Sequence, residues 1–332
     1  MVLVIFLMAG LSAGMSERRV VQASEVEAKI RSGESEEFDN CTIVGYLNLS
    51  KLRIDVPVHF NNAIFEGSVN FDQTIFNDLA DFKDSSFNDT ANFYGSIFNR
   101  SADFRRSEFK SDADFMSSEF NGKAYFTGSN FSDIASFSDS TFKSDACFES
   151  SSFKGDSYFE ISNFNYADFK YTSFSSASHF LGSTFKGDAD FGYSVFNGTS
   201  DFMSSIFNGR VCFWYSVFNF DASFWNAIFN SDANFEHSTF QEVDFWGANF
   251  NGTASFWGSI YKHADFFESV FNKTANFRGS TFRNTNFGYS IFNGDAYFGG
   301  SNFNYSSFSN SKFYGDTEFD HIISKENSEK PI

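Results

Sequence analysis

The side chains that could do chemistry in this chain are plentiful, but their spacing does not gather them. Its five histidines, His59, His179, His237, His263 and His321, could ligate a metal or relay protons, yet they are scattered without ligand-like pairing. Cys41, Cys147 and Cys212 are odd in number and widely spaced, which suits neither a disulfide framework nor a thiolate cluster. Asp and Glu total 42 against 24 Lys and Arg, for a net charge of −18. The Asp recur immediately before Phe, at places that point outward, where solvated charge is the default. No nucleophile motif, phosphate-binding glycine loop or zinc pattern is present. The acidic balance argues against direct nucleic-acid binding, which needs a basic stripe to meet phosphates. No enzyme, cofactor or metal is expected, and what remains is contact chemistry. Leu181, Met203, Trp225, Trp246 and Phe267 recur at intervals of 22, 22, 21 and 21 residues. Trp214 and Trp257, with Tyr171, Tyr193 and Tyr215, form a second set.

Whether those residues meet depends on the elements that carry them, and the repeat defines the elements. From Phe60 onward an aromatic residue returns at 65, 71, 76, 82, 87, 93 and 98, in steps alternating five and six, as far as Phe319. Of the 49 positions on this track 48 are Phe and one is Tyr261; Phe38, Ile43, Leu49 and Ile54 extend it backwards. Two places before almost every centre stands Ala, Ser, Thr or Val, as at Ala80, Ser85, Ala91 and Ser96. A helix would rotate such steps by about 140° and 240° and scatter the Phe around its cylinder. In extended chain, residues two apart share a face, so each small residue and its Phe point the same way. Short strands separated by Asn, Gly, Ser and Asp turns therefore predict a β-solenoid with a Phe core.

The lost residues count the sides. The six-residue step shrinks to five at 240→245, 261→266, 282→287 and 303→308, every fourth step, and once more at 164→169. Each coil has four sides and 21 or 22 residues. Counting by four puts Leu181, Met203, Trp225, Trp246 and Phe267 directly after their Phe on one face, as an outward ladder on adjacent coils that serves either as a contact surface or as a stack stabilising its own coils. Trp214 and Trp257 fall on the opposite face, where cross-coil packing accounts for them best. A third face carries Asn77, Asn99, Asn121, Asn165, Asn208, Asn230, Asn251, Asn272 and Asn293; stacked Asn can form amide ladders, but turn chemistry, with Asn-Gly at corners of positive φ, explains them best.

With "ADF" at 113–115 and 189–191, the chain resembles the pentapeptide repeat family, whose unit is commonly written A-(D/N)-(L/F)-x-x. The resemblance runs over roughly 38–319 and departs from the unit by the extra residue in alternate repeats, giving eleven-residue doublets. It implies an all-β, right-handed quadrilateral β-helix; about 53 centres make some thirteen coils. The extra residues should lengthen two corners without altering the interior. The family hosts varied roles, so fold alone fixes function weakly.

The rest of the chain supplies ends and addresses. Residues 1–14, "MVLVIFLMAGLSAG", read as a signal peptide, an apolar run too short to span a bilayer, and predict a secreted or cell-surface protein. In the capping segment 15–37 a helix is expected over about 24–32, with Ser24 as N-cap, Glu27 closing a capping box and Gly33 after the last turn. The repeat domain spans 38–320, and 321–332 is a polar tail. The C-terminal coil looks underprotected, which makes a homodimer through that end a reasonable expectation. Two functions compete. The first is an exported interaction rod, binding an unknown protein or surface component through the Leu181–Phe267 ladder. The second, which the family resemblance implies, is an intracellular DNA mimic binding a type II topoisomerase. The outward Asp81, Asp103, Asp168 and Asp190 favour it, but Lys83, Arg105, Arg106 and Lys170 interrupt their row.

Overall fold

A computed structural model describes residues 18–34, 37–321 and 323–324; the apolar run 1–14 and the tail beyond 324 lie outside them. Strand β1 (Arg19–Gln22) leads into helix α1 (Ala23–Ser32), then strand β2 (Cys41–Val44) opens a long succession of strands, mostly of two residues. The strands pair in parallel with residues one coil away, as Phe87 with Phe109 and Phe240 with Tyr261. The result is a parallel β-solenoid of about fourteen turns. The sequence led to thirteen; β1 pairs with β2 and adds a part-turn ahead of the repeats.

Two sheets, of 25 and 24 strands, make up the four sides. One wraps the corner between the Phe65 and Phe71 columns, the other the corner between the Phe76 and Phe82 columns. Those are the corners that carry the extra residue. At three of the places where it is lost the chain crosses the corner as one strand, Asn163–Asp168, Thr239–Asp244 and Ile260–Asp265, as it also does over the longer Thr141–Cys147 and Val217–Ser223 just before two of them. Register shifts at Phe142/Asp145 and Phe218/Asp221 absorb the change from a 22- to a 21-residue coil.

Tight turns join the sheets along the other two corners. Each runs from a Phe to the residue three places on, whose N–H donates back to the Phe carbonyl, as Ser85 to Phe82 (3.1 Å) and Ser96 to Phe93 (3.0 Å). The third residue of each turn takes positive φ: Asp84 59°, Gly95 60°, Tyr193 58°, His237 56°. This is the geometry of a type II turn, here mostly without glycine. The Asn-Gly pairs do something else. Gly122, Gly209, Gly252 and Gly294 are absent from the positive-φ residues, contrary to the expectation from sequence. A Cβ on Gly122 would come within 2.4 Å of the Arg100 carbonyl carbon, and one on Gly209 within 2.2 Å of that of Gly187. These glycines let one corner sit directly on the next.

Inside, the Phe form four stacks. Phe82 and Phe104 are 4.9 Å apart and 3° from parallel, and Phe87 and Phe109 are 4.7 Å and 2°. Stacks meet edge to face across the axis, as Phe93 with Phe104 (5.3 Å, 86°). Both arrangements suit the ring quadrupole, and each ring contributes about 1.5–3 kcal/mol by burial. The inward Ser do more than leave room. Ser85 donates its hydroxyl to the Phe60 carbonyl (2.6 Å) and Ser129 to Phe104 (2.6 Å), and the pattern recurs along the rod, so a buried hydroxyl is satisfied and two coils are tied together.

Helix α1 covers the first coil, with Val26 and Ile30 buried. Gly33, at φ 76°, donates its N–H to the last-turn carbonyls and ends the helix as expected. The start differs: Gln22 is the N-cap and offers no side-chain bond, while Ser24 lies inside the first turn. Because β1 runs straight into the helix, the Glu27 carboxylate is free of a capping box and accepts from the Asn48 N–H at 2.7 Å.

Candidate functional site

The Leu181–Phe267 ladder is placed by backbone bonds between coils. In each tight turn on that face the positive-φ residue donates its N–H to the ladder carbonyl of the next coil. The bonds run from Ile161 to Leu181, Gly182 to Met203, Ser204 to Trp225, Asn226 to Trp246 and Gly247 to Phe267, at 2.8–2.9 Å. The five side chains therefore follow one another coil upon coil. Trp225 and Trp246 are 38% and 43% exposed; Leu181, Met203 and Phe267 are half-buried. Ring contacts link Trp225 to Trp246 (6.0 Å, 35°) and Trp246 to Phe267 (5.8 Å, 90°).

The ladder is longer than the sequence suggested. Phe267 also meets Tyr289 at 5.3 Å. Tyr289 sits two places after its Phe, out of the ladder's register, so spacing alone hides it. The signal is Gly288 beside it: a Cβ there would lie 3.2 Å from the Phe267 ring. Glycine lets Phe267 lean over the next coil.

On the opposite face the second set packs against itself. Tyr171 stacks on Tyr193 (5.0 Å, 13°), Tyr193 on Tyr215 (5.4 Å, 3°) and Tyr215 on His237 (4.8 Å, 21°). Trp214 lies edge-on to Tyr193 and Tyr215, and Trp257 closes on His237 at 4.9 Å. The Tyr faces here are stacked on one another, although Trp214 and Trp257 stay as exposed as the ladder Trp, at 38% and 47%. On the third face the Asn side chains form an amide ladder, a role that turn chemistry alone did not assign them. Asn99 donates to Asn77, Asn121 to Asn99, Asn251 to Asn230 and Asn272 to Asn251, all at 2.7–2.8 Å.

The Asp before Phe are not simply solvated charges. Asp201 accepts from the Met203 N–H (2.9 Å), Asp244 from Trp246 (2.7 Å) and Asp265 from Phe267 (2.8 Å), so each carboxylate fixes the backbone of a ladder residue. Asn92 does the same for Tyr94. Sequence reasoning passed over this role, although the signal is an Asp or Asn two places before each turn residue. Burial holds the carboxyls of Asp81, Asp114, Asp168 and Asp265 above the usual carboxylate range. On the face of Asp81 and Asp168, basic residues neutralise neighbouring acids: Arg105 pairs with Asp103, Arg106 with Asp84 (2.6 Å) and Lys170 with Asp190 (3.0 Å). Cys41, Cys147 and Cys212 are free thiols. Burial pushes Cys147 up to about 11 and raises the other two, so none is poised as a nucleophile. Among the described residues no cluster of His, Cys, Asp and Glu could hold a metal ion, and no helix is long and apolar enough to cross a membrane.

Comparison with known proteins follows the same line. No curated protein matches the sequence. Among solved structures, the chain is similar to HetL, a pentapeptide repeat protein involved in heterocyst differentiation regulation from the cyanobacterium Nostoc sp. strain PCC 7120. The identity is 10% and the TM-score 0.20, over 88% of this chain and 94% of that one. The family model for pentapeptide repeats (9 copies) matches residues 60–108, 104–149, 126–173, 169–217, 213–260 and 266–312. With the matched spans taking in most of the solenoid, the chain belongs to the pentapeptide repeat family.

Proposed function

We propose that the rod is a non-catalytic interaction scaffold that is exported or displayed at the cell surface and grips a partner protein through the Leu181–Phe267 ladder. The observation that carries this reading is the exposure of Trp225 and Trp246 in register on adjacent coils. A row of large apolar groups facing water marks a contact surface, and Trp is the residue type that most often anchors one. Unlike the Tyr stack opposite, its rings are tilted or perpendicular to one another, which leaves ring faces for a partner. The surface-display part rests on the apolar run 1–14 alone, which lies outside the described residues.

The test is capture of partners from the native host by full-length protein and by the Trp225→Ser, Trp246→Ser double variant, with thermal melting of both. Specific capture lost at an unchanged melting temperature supports the ladder; capture that survives reduces it to scaffold. Intact mass and cell fraction of the native protein decide the address. A mature start near residue 15 in the external fraction fits export, whereas an uncleaved cytoplasmic chain removes it. In that case the alternative comes forward, a DNA mimic that binds a type II topoisomerase. Net charge −18 favours it, and the ion pairs of Arg105, Arg106 and Lys170 weigh against a phosphate-like row on their face.

A further inference from the structure

Beside the ladder, on the same face, runs a groove of about 660 Å³. Its walls are two files of side chains one coil apart. The first holds Asp201, Asp244 and Asp265, the carboxylates that fix the ladder backbone. The second holds Asp221, Glu242 and His263, paired on the strands Val217–Ser223, Thr239–Asp244 and Ile260–Asp265, which cross this corner unbroken. Five carboxylates thus line one trough, and no Lys or Arg lines it. Elsewhere on the rod carboxylates take cations from an adjacent coil, as Arg210 on Asp188 (2.9 Å) and Lys123 on Asp145 (2.8 Å). Among the described residues none of these five makes an ion pair. Burial, with the Asp244 charge added, also holds the Asp265 carboxyl above its usual range, so a cation brought here would relieve a standing repulsion.

We propose that this face receives a basic amphipathic α-helix of the partner, laid along the rod axis with its Lys or Arg stripe in the groove and its apolar stripe on Trp225, Trp246 and Phe267. The proposal rests on the ladder being the contact surface and adds the partner's chemistry. Charge complementarity fixes the sign of the occupant. A second copy of this chain, itself at −18, offers this carboxylate-lined face no matching cationic stripe. The pitch fixes its form. Coils repeat every ~4.8 Å, and a helix offers one side chain per turn of about 5.4 Å, so the two stay nearly in step from Leu181 to Phe267. Those four steps span about 19 Å, the length of about 13 helical residues. An extended strand repeats its faces every ~6.7 Å and loses register within two coils. Cations at the groove's edge would also lie within reach of the Trp rings.

The test is a titration of the full-length protein with a synthetic Leu/Lys amphipathic peptide of about 14 residues, long enough for the required helix. Intrinsic Trp fluorescence reports binding. Three control peptides replace Lys by Gln, replace Lys by Glu, or hold the same composition with a central Pro. We expect binding to the Lys peptide alone, weakened by salt. Asp244→Asn with Asp265→Asn should weaken it by at least about tenfold, because two buried charge contacts are removed. Trp225→Ser with Trp246→Ser should do likewise, read by calorimetry, and Asp84→Asn on another face should do nothing. The Asn variants keep the turn, since Asn92 already serves it; melting curves confirm their fold. Equal binding of the Gln peptide, or no loss in the Asn variants, overturns the cationic partner while leaving the ladder standing. Equal binding of the Pro peptide overturns the helix. Full binding to the Trp variants removes the ladder itself, and no binding of the Lys peptide removes the proposal.

Discussion

A single carboxylate shows how this rod trades charge for turn geometry. Asp168 accepts the Lys170 N–H at 3.0 Å and thereby pins a turn. Burial first, then the charges of Asp190 and Glu149, raise its pKa above the ordinary value. A raised carboxyl pKa means that the folded state holds a proton more tightly than the unfolded one. Stability therefore rises as pH falls through the window between the folded value and the unfolded value of about 3.9. Asp168→Asn, which keeps the acceptor and drops the charge, should raise the unfolding midpoint at pH 7, with the gain shrinking to nothing below that window. Chemical denaturation at a series of pH values checks it. Asp84 has the opposite sign: its hydrogen bond from Arg106 lowers its pKa, so its contribution is present above the unfolded carboxyl range and is lost in acid. Tyr261 makes a second case. It is fully buried in the Phe65 stack, 5.1 Å from Phe282, and its hydroxyl finds no hydrogen-bond partner among the described residues. Neighbouring Ser259 directs its own hydroxyl to the Phe235 carbonyl. Tyr261→Phe should stabilise the protein by about 1–3 kcal/mol, the cost of an unmet buried polar group, measurable in the same denaturation series.

At the scale of the element, what was legible in the sequence is what repeats within one coil. Phe spacing gave four columns, the small residue two places earlier gave their orientation, and the shortened steps gave the sides. What escaped are bonds between groups a coil or more apart. Ser129 reaches the Phe104 carbonyl only because the solenoid lays one coil on the next. Tyr193 accepts φ 58° because its neighbours hold it there: its N–H is bound by the Trp214 carbonyl and its ring is stacked on Tyr171 and Tyr215. Local propensity names glycine for such a place, and tertiary context overrides it. The ladder residues were visible because they share one register; the groove was not, since its second file arises only where Val217–Ser223, Thr239–Asp244 and Ile260–Asp265 cross the corner as continuous strands. That origin can be tested. One Gly inserted between Gln241 and Glu242 restores the six-residue step that the same corner has at 218→224. Loop-length change on an exposed corner costs about 0.6 kcal/mol or less, so the fold should survive with a small shift in melting temperature. Asp221 already holds its place in the file across such a longer step, so the groove should survive with it: binding of the Lys-bearing helix should stay well above the level of the Asp244→Asn, Asp265→Asn variant.

The whole molecule is a one-dimensional stack, and its two ends are unlike. Each coil touches only its neighbours, so stability passes along the axis and fraying starts at an end. At the first coil α1 buries Val26 and Ile30. At the other end Phe298 is fully buried while Phe313 and Phe319 are only half-buried. Among the described residues no helix comparable to α1 covers that turn. The strand edges at Lys312–Phe313 and Thr317–Glu318 each pair with the preceding coil, Lys312–Phe313 with Ile291–Phe292 and Thr317–Glu318 with Ala296–Tyr297. An edge with backbone donors and ring faces to spare is a template for another chain, and we propose that a second copy docks there, tail to tail. Two rods of charge −18 repel, so the association should need salt to screen it; the Debye length at 0.15 M is about 8 Å. Hydrogen exchange resolves the matter coil by coil. In dilute protein, protection should fall stepwise from Phe287 towards Phe319. At high concentration in 0.15 M salt, amides of 312–319 should gain protection while those near α1 do not change, and the sedimenting mass should approach twice that of one chain. If the C-terminal coil exchanges equally fast at every concentration and the mass stays at one chain, this end is simply the least stable part of the rod, and its partner is not another copy.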